Sequence, residues 1–109
     1  MKSGIVPGWE IKIFIAGDAA IARQICRQWC FEVGACVTVT PTNYIYTGGE
    51  ESGVIVGIIN YARFPTPVED GRANAHVLAE RLRVGLCQHS YSILTPDQSE
   101  WVSHRKDAA

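Results

Sequence analysis

Two stretches of helical period alternate with four stretches of period two along this chain, in the order strand, helix, strand, strand, helix, strand. Two amphipathic helices can cover one face of a four-stranded sheet and no more. The order β-α-β-β-α-β therefore predicts an α/β (α+β) two-layer sandwich with both helices on one face and the other face open. At 109 residues the chain has the length of a single small domain. We expect residues 1–8 to form an N-terminal extension, 9–95 the domain, and 96–109 a polar C-terminal extension with a short helical turn.

The individual elements read as follows. Residues 9–16 alternate, with Ile11, Ile13 and Ile15 pointing one way and Glu10, Lys12 and Phe14 the other, so a strand is predicted. Asp18 is a good N-cap, and Ile21, Ile25, Trp29 and Val33 give residues 19–33 a helical stripe that Gly34 ends. Residues 35–46 are rich in Val, Thr and Tyr; Pro41 places that strand at an edge or at a bulge. Residues 47–53 (TGGEESG) have turn chemistry, and residues 54–61 form a near-continuous apolar strand, so a hairpin is predicted. Thr66-Pro67-Val68-Glu69 reads as a capping box that opens a helix running to about Val84, with Gly85 as its stop. Residues 91–95 form a short last strand before Pro96.

Composition removes several classes of function. A net charge of −1 argues against a DNA-backbone binder. No apolar run approaches the roughly 18 residues of a membrane span, so no membrane partner is expected. The N-terminal residues lack the apolar core and cleavage site of a signal peptide, so a cytoplasmic location is expected, in the host cytoplasm if the chain is phage-encoded. Cys26, Cys30, Cys36 and Cys87 include no C-x2-C pair, and His76, His89 and His104 are scattered. We therefore expect free thiols, no metal site and no cofactor.

The hairpin is the richest place for a site. Tyr44 and Tyr46 share a face, Glu50 and Glu51 sit in the glycine turn, and Asn60, Tyr61 and Arg63 follow the next strand. Aromatic rings with an Arg and amides can grip a planar or phosphorylated ligand. The competing reading is structural: tyrosines that shield a sheet and glutamates that are merely solvated. Glu50 and Glu51 are adjacent and point apart, which suits paired acid–base work poorly. Gly48-Gly49 has no Lys-Ser/Thr after it and is not a phosphate loop. Cys87 and His89 lack a third orienting group. Trp101 either anchors in a neighbouring chain or covers its own sheet. The candidate ligand- or partner-binding set is thus Tyr44, Tyr46, Glu50, Glu51, Asn60, Tyr61, Arg63 and Trp101, with no catalytic residue assigned.

The element order is shared by ferredoxin-like domains and the tautomerase superfamily. Residues 37–95, with Gly48-Gly49, a buried strand and a capped helix, resemble the tautomerases. That resemblance implies a proline base at the mature N-terminus, whereas this chain has Lys2 there and its first proline is the internal Pro7. Residues 44–65 (YIYTGGEESGVIVGIINYARFP) are similar to small uncharacterised proteins of tailed phages and prophages, which implies an accessory or virion role.

From these observations we expect a non-enzymatic, phage-associated binding protein. It would act by self-association, as a homo-oligomer, and by contact with a host or phage protein or a small ligand, with counter-defence as one role. The alternatives are a tautomerase-like enzyme on a small keto-enol acid, a structural virion component, and a single-stranded nucleic-acid binder. The last is disfavoured by the missing basic rim.

Overall fold

The computed structural model describes residues 1–106. Its elements are β1 (Glu10–Ala16), α1 (Ala19–Val33), β2 (Thr38–Tyr46), β3 (Gly49–Ile59), α2 (Val68–Gly85), β4 (Ser90–Leu94) and β5 (Ser99–Ser103). The strands form one five-stranded sheet in the order β2-β3-β1-β4-β5, with every neighbouring pair antiparallel. Because β3 lies between β1 and β2, and β1 between β3 and β4, two split βαβ units interlock. This is the ferredoxin-like arrangement rather than the tautomerase one. The predicted sandwich holds, with one strand more than expected.

Central strand β1 organises the core. Ile11, Ile13 and Ile15 are almost wholly buried beneath Ala22, Cys26 and Trp29 of α1 and Ala75, Leu78, Ala79 and Leu82 of α2. Burying an Ile of this kind contributes about 1.5–3 kcal/mol relative to leaving it in water. Val54, Val56 and Ile58 of β3 and Tyr91 and Ile93 of β4 extend the same layer.

α1 begins and ends as its residues dictate. The Asp18 carboxylate accepts from the Ile21 amide at 2.9 Å, and Gly34 closes the helix at φ 73. α2 differs from expectation. Its N-cap is Pro67, with no side-chain cap. Thr66 is held instead through its backbone: its amide donates to Asn60 Oδ1 at 2.8 Å and its carbonyl accepts from Trp9 Nε1 at 3.2 Å. The hairpin also differs. The turn is confined to Thr47 and Gly48, and Glu50 and Glu51 lie within β3, paired with Ile45 and Tyr44. Residues 96–106 hold no helix; β5 pairs along β4 from Ser90↔Ser103 to Leu94↔Ser99.

Glycines on the open face explain the long hairpin. A Cβ at Gly49 would meet the Tyr46 ring at 2.5 Å. A Cβ at Gly53 would meet the Ile15 carbonyl oxygen and Tyr44 Cε2, each at 2.5 Å. Each ring lies over bare backbone, so the strand continues through residues that look like a turn. Gly53→Ala is therefore expected to cost about 1–3 kcal/mol of unfolding free energy in urea titration. Gly4→Ala, whose Cβ meets nothing within 4 Å, should leave the midpoint unchanged. Equal midpoints for the two variants would refute this packing.

Candidate functional site

Period two assigns the uncovered face. With Ile11, Ile13 and Ile15 under the helices, Lys12, Phe14 and Ala16 face away from them. The register then carries one row across the sheet: Thr40, Ile55, Phe14, Ser92 and Trp101 are successive partners. Tyr44 and Glu51 are direct cross-strand partners further along the hairpin and share this face, as do Tyr46 and Gly49. Glu50 pairs with Ile45 and points to the opposite side.

Between these rows lies an open recess of about 290 Å³ whose lining includes Phe14, Tyr44, Glu51, Ser92, Trp101 and Arg105. Tyr44 is fixed: its hydroxyl donates to the Val54 carbonyl oxygen at 2.5 Å. Burial pushes the phenol above its ordinary value, and the negative charge of Glu51 adds to that. Tyr44 is thus a neutral aromatic wall. The Trp101 ring is 61% exposed, a large apolar surface left wet. The Glu51 carboxylate is exposed and makes no hydrogen bond or ion pair among the described residues.

Glu80 shows what an occupied carboxylate looks like here. It accepts from the Tyr91 hydroxyl at 2.6 Å, and it pairs with Arg83 at 3.1 Å and His104 at 3.0 Å. Those partners, the Tyr91 hydroxyl first, hold it down to about 2. A parallel pair joins His76 Nε2 to Glu100 at 2.5 Å. Arg72 reaches Asp97 at 2.8 Å and Thr95 at 3.0 Å. These contacts lash β5 and the turn before it to α2 and leave no acid there free for a ligand.

The remaining sequence candidates separate. Asn60 is a clip: besides holding Thr66, its Nδ2 donates to the Pro7 carbonyl oxygen at 2.8 Å. Tyr61 stands 5.2 Å from Phe64, centroid to centroid, and accepts from the Cys36 thiol at 3.4 Å. It borders a cavity at the other end of the sandwich. Arg63 lies beside Lys2, Ser3 and Gly4. The structure thus gathers Tyr44, Glu51 and Trp101, places Tyr46 on the same face, and takes Glu50, Asn60, Tyr61 and Arg63 elsewhere. Phe14 and Arg105 join the recess although the hairpin pattern does not point to them. The alternation of residues 9–16 is the signal that finds Phe14.

Chemically, the recess offers ring faces, one unpaired carboxylate and one guanidinium. Such a set suits a planar group joined to a cationic centre. No group of three or more His, Cys, Asp or Glu side chains that could hold a metal occurs among the described residues. No described helix is long and apolar enough to cross a membrane.

No family model and no curated protein matches the chain. Two solved structures match along its whole length. One is a phage SAM lyase in the apo state, with a TM-score of 0.75 at 14% identity over 100% of this chain and 99% of that one. The other is a phage SAM lyase in complex with S-methyl-5'-thioadenosine, with a TM-score of 0.67 at 15% identity over 100% and 98%. The likeness in fold is therefore to phage proteins, in line with the phage resemblance of residues 44–65. It also corrects the expectation of a non-enzymatic binding protein, because the fold found along the whole chain is one that enzymes of that kind use. The sequence shows no familiar catalytic motif, and that is no measure of chemistry carried by scattered side chains.

The Glu80 cluster predicts an acid-side dependence of stability. The folded value of about 2 lies below the ordinary 4.5, so the stabilisation is fully present above about pH 4.5 and is lost as pH falls toward 2. Glu80 is 39% exposed, so solvent screens the effect and the contribution is small. In thermal melts, Glu80→Gln should flatten the decline of melting temperature across that window. Parallel profiles for wild type and variant would disprove it.

Proposed function

We propose that this protein is an enzyme of the SAM lyase type, cleaving S-adenosylmethionine to S-methyl-5'-thioadenosine in the open-face recess. The observation that carries the reading is the whole-length correspondence of fold with phage SAM lyases. Fold does not by itself assign activity. The recess supplies the second support, because its chemistry suits this substrate.

S-Adenosylmethionine has a planar purine, a sulfonium cation, an ammonium group and a carboxylate. Trp101, Phe14 and Tyr44 offer ring faces for the purine and the sulfonium. Glu51 can pair with the ammonium group and Arg105 with the carboxylate. In the reaction the bond from sulfur to the γ-carbon breaks and its electron pair stays on sulfur, which leaves as a neutral thioether. A lyase adds no water, so the carbon left behind is satisfied from within the substrate. Either its own carboxylate oxygen closes on it, or a neighbouring proton departs. The protein's task is then to fold the methionine chain back, shelter the departing thioether and exclude water.

A recess open along one sheet face shelters a substrate incompletely. We include in the proposal that a second copy of this chain supplies the missing wall, which would also cover Trp101. In a phage, removing S-adenosylmethionine would act on host defence by depleting a methyl donor rather than by sequestering a protein.

The test is turnover. Purified protein with S-adenosylmethionine should yield S-methyl-5'-thioadenosine by chromatography and mass spectrometry. Glu51→Gln and Trp101→Ala should each lower the rate at least about tenfold, the scale of one well-placed ionic or aromatic contact. Both side chains are exposed, so melting temperatures should be unchanged. Absence of the product with folded wild-type protein overturns the reading. Light scattering addresses the second copy: a monomeric mass under conditions of full turnover removes it.

A further inference from the structure

We propose that His76 is a positioning residue for the open-face recess: as an imidazolium it fastens β5 to α2, and loss of its proton loosens the strand that carries Trp101. The proposal rests on the reading above only in taking the recess as the binding site. The fastening itself holds whatever reaction occurs there.

β5 is five residues long, it is the outermost strand on its side, and its ladder runs to β4. Its apolar contribution to the core is Val102, which is itself half-buried. A short edge strand with so little apolar burial belongs to the part of a fold that opens most readily. Side chains hold it instead. Arg72, His76 and Glu80 stand four residues apart on α2, one turn after another, and meet Asp97, Glu100 and His104 in that order. Of the three contacts, His76–Glu100 is the one that ends inside β5. Glu100 pairs in register with Ile93 on the core side, and the next residue, Trp101, pairs with Ser92 on the open side. A displacement of Glu100 is therefore passed directly to the recess wall.

The partners of His76 fix its protonation. Nδ1 stands 2.8 Å from the Arg72 carbonyl oxygen, and Nε2 stands 2.5 Å from Glu100 Oε1. Carbonyl and carboxylate oxygens only accept, so both ring nitrogens must donate, and only the imidazolium carries two N–H groups. A neutral ring would turn a bare nitrogen toward one of the two oxygens. The Arg72 carbonyl first, and Glu100 after it, hold the imidazole above its ordinary 6.5, against a partial burial that lowers it. The charged and titratable groups around the pair are engaged elsewhere. Arg72 is bound to Asp97, and Glu80 takes the Tyr91 hydroxyl from β4 together with Arg83 and His104. Because the folded value is raised, the fastening is complete below about pH 6.5 and is lost as pH rises through that raised value. The two side chains are 44% and 42% exposed, so the effect is a local opening of β5 and not global unfolding.

Two measurements on the full chain test this. In hydrogen-exchange mass spectrometry, each rate is divided by that of an unstructured peptide at the same pH. Protection of residues 99–103 should then fall about threefold between about pH 5.5 and about pH 8.5, while β1 shows no such step. In nuclear magnetic resonance, the Trp101 indole N–H signal, assigned by Trp101→Phe, should shift with the same midpoint as the His76 imidazole, assigned by His76→Gln. Glu100→Gln should abolish both steps, because an amide can meet either form of the ring. His104→Gln should keep them. A His76 midpoint at or below 6.5, or a Trp101 signal that does not follow it, overturns the proposal. Both are read in wild-type protein, so a variant that fails to fold leaves the test intact. Neither needs S-adenosylmethionine, so missing lyase turnover and a missing fastening are separate results.

Discussion

The burial of one side of β1 sets up everything else in this molecule. Ile11, Ile13 and Ile15 must leave water, and two helices of 15 and 18 residues are the cover available. Since a strand sends alternate side chains to opposite faces, hiding these three isoleucines commits Lys12, Phe14 and Ala16 to the other side. Register then spreads the commitment outward: once Phe14 pairs with Ile55 and Ser92, the faces of Tyr44, Glu51 and Trp101 follow. The recess is a geometric by-product of the core, built from residues that the core had no use for.

Much of this was legible in the residues because it is local. The Asp18 cap and Gly34 define α1 at both ends, although the buried stripe is Ala22, Cys26 and Trp29 and leaves Ile21 and Val33 of the expected one exposed. Alternation defines β1, and Pro41 correctly places β2 at an edge. Features that depend on distant partners were not legible. The glycines and glutamates of residues 47–53 carry turn chemistry, and only the rings of Tyr44 and Tyr46 lying across Gly53 and Gly49 turn them into strand. Thr66 has the spacing of a cap, but Asn60 and Trp9 hold its backbone. β5 escaped notice because Val102 is its one apolar residue on the core side. Glu100 beside it is placed by His76, far away in sequence.

The candidate site divides the same way. Tyr44 and Glu51 both stand out in the hairpin, but their pairing, and their separation from Glu50, follow only once residues 49–53 are strand rather than turn. That Trp101 joins them needed β5, and the strand order that brings it near is a property of the whole sheet.

Pro41 has one more consequence. Strand β2 forms one outer margin of the sheet, where a row of backbone amides would otherwise be available to another chain. A proline in such a strand has its nitrogen turned to solvent, so it puts a gap in that row without weakening the ladder to β3. Runaway stacking of molecules edge on edge, the route to filaments, is blocked on that side. Assembly through the β2 margin is thereby disfavoured, whereas the opposite margin, β5 (SEWVS), carries no such gap.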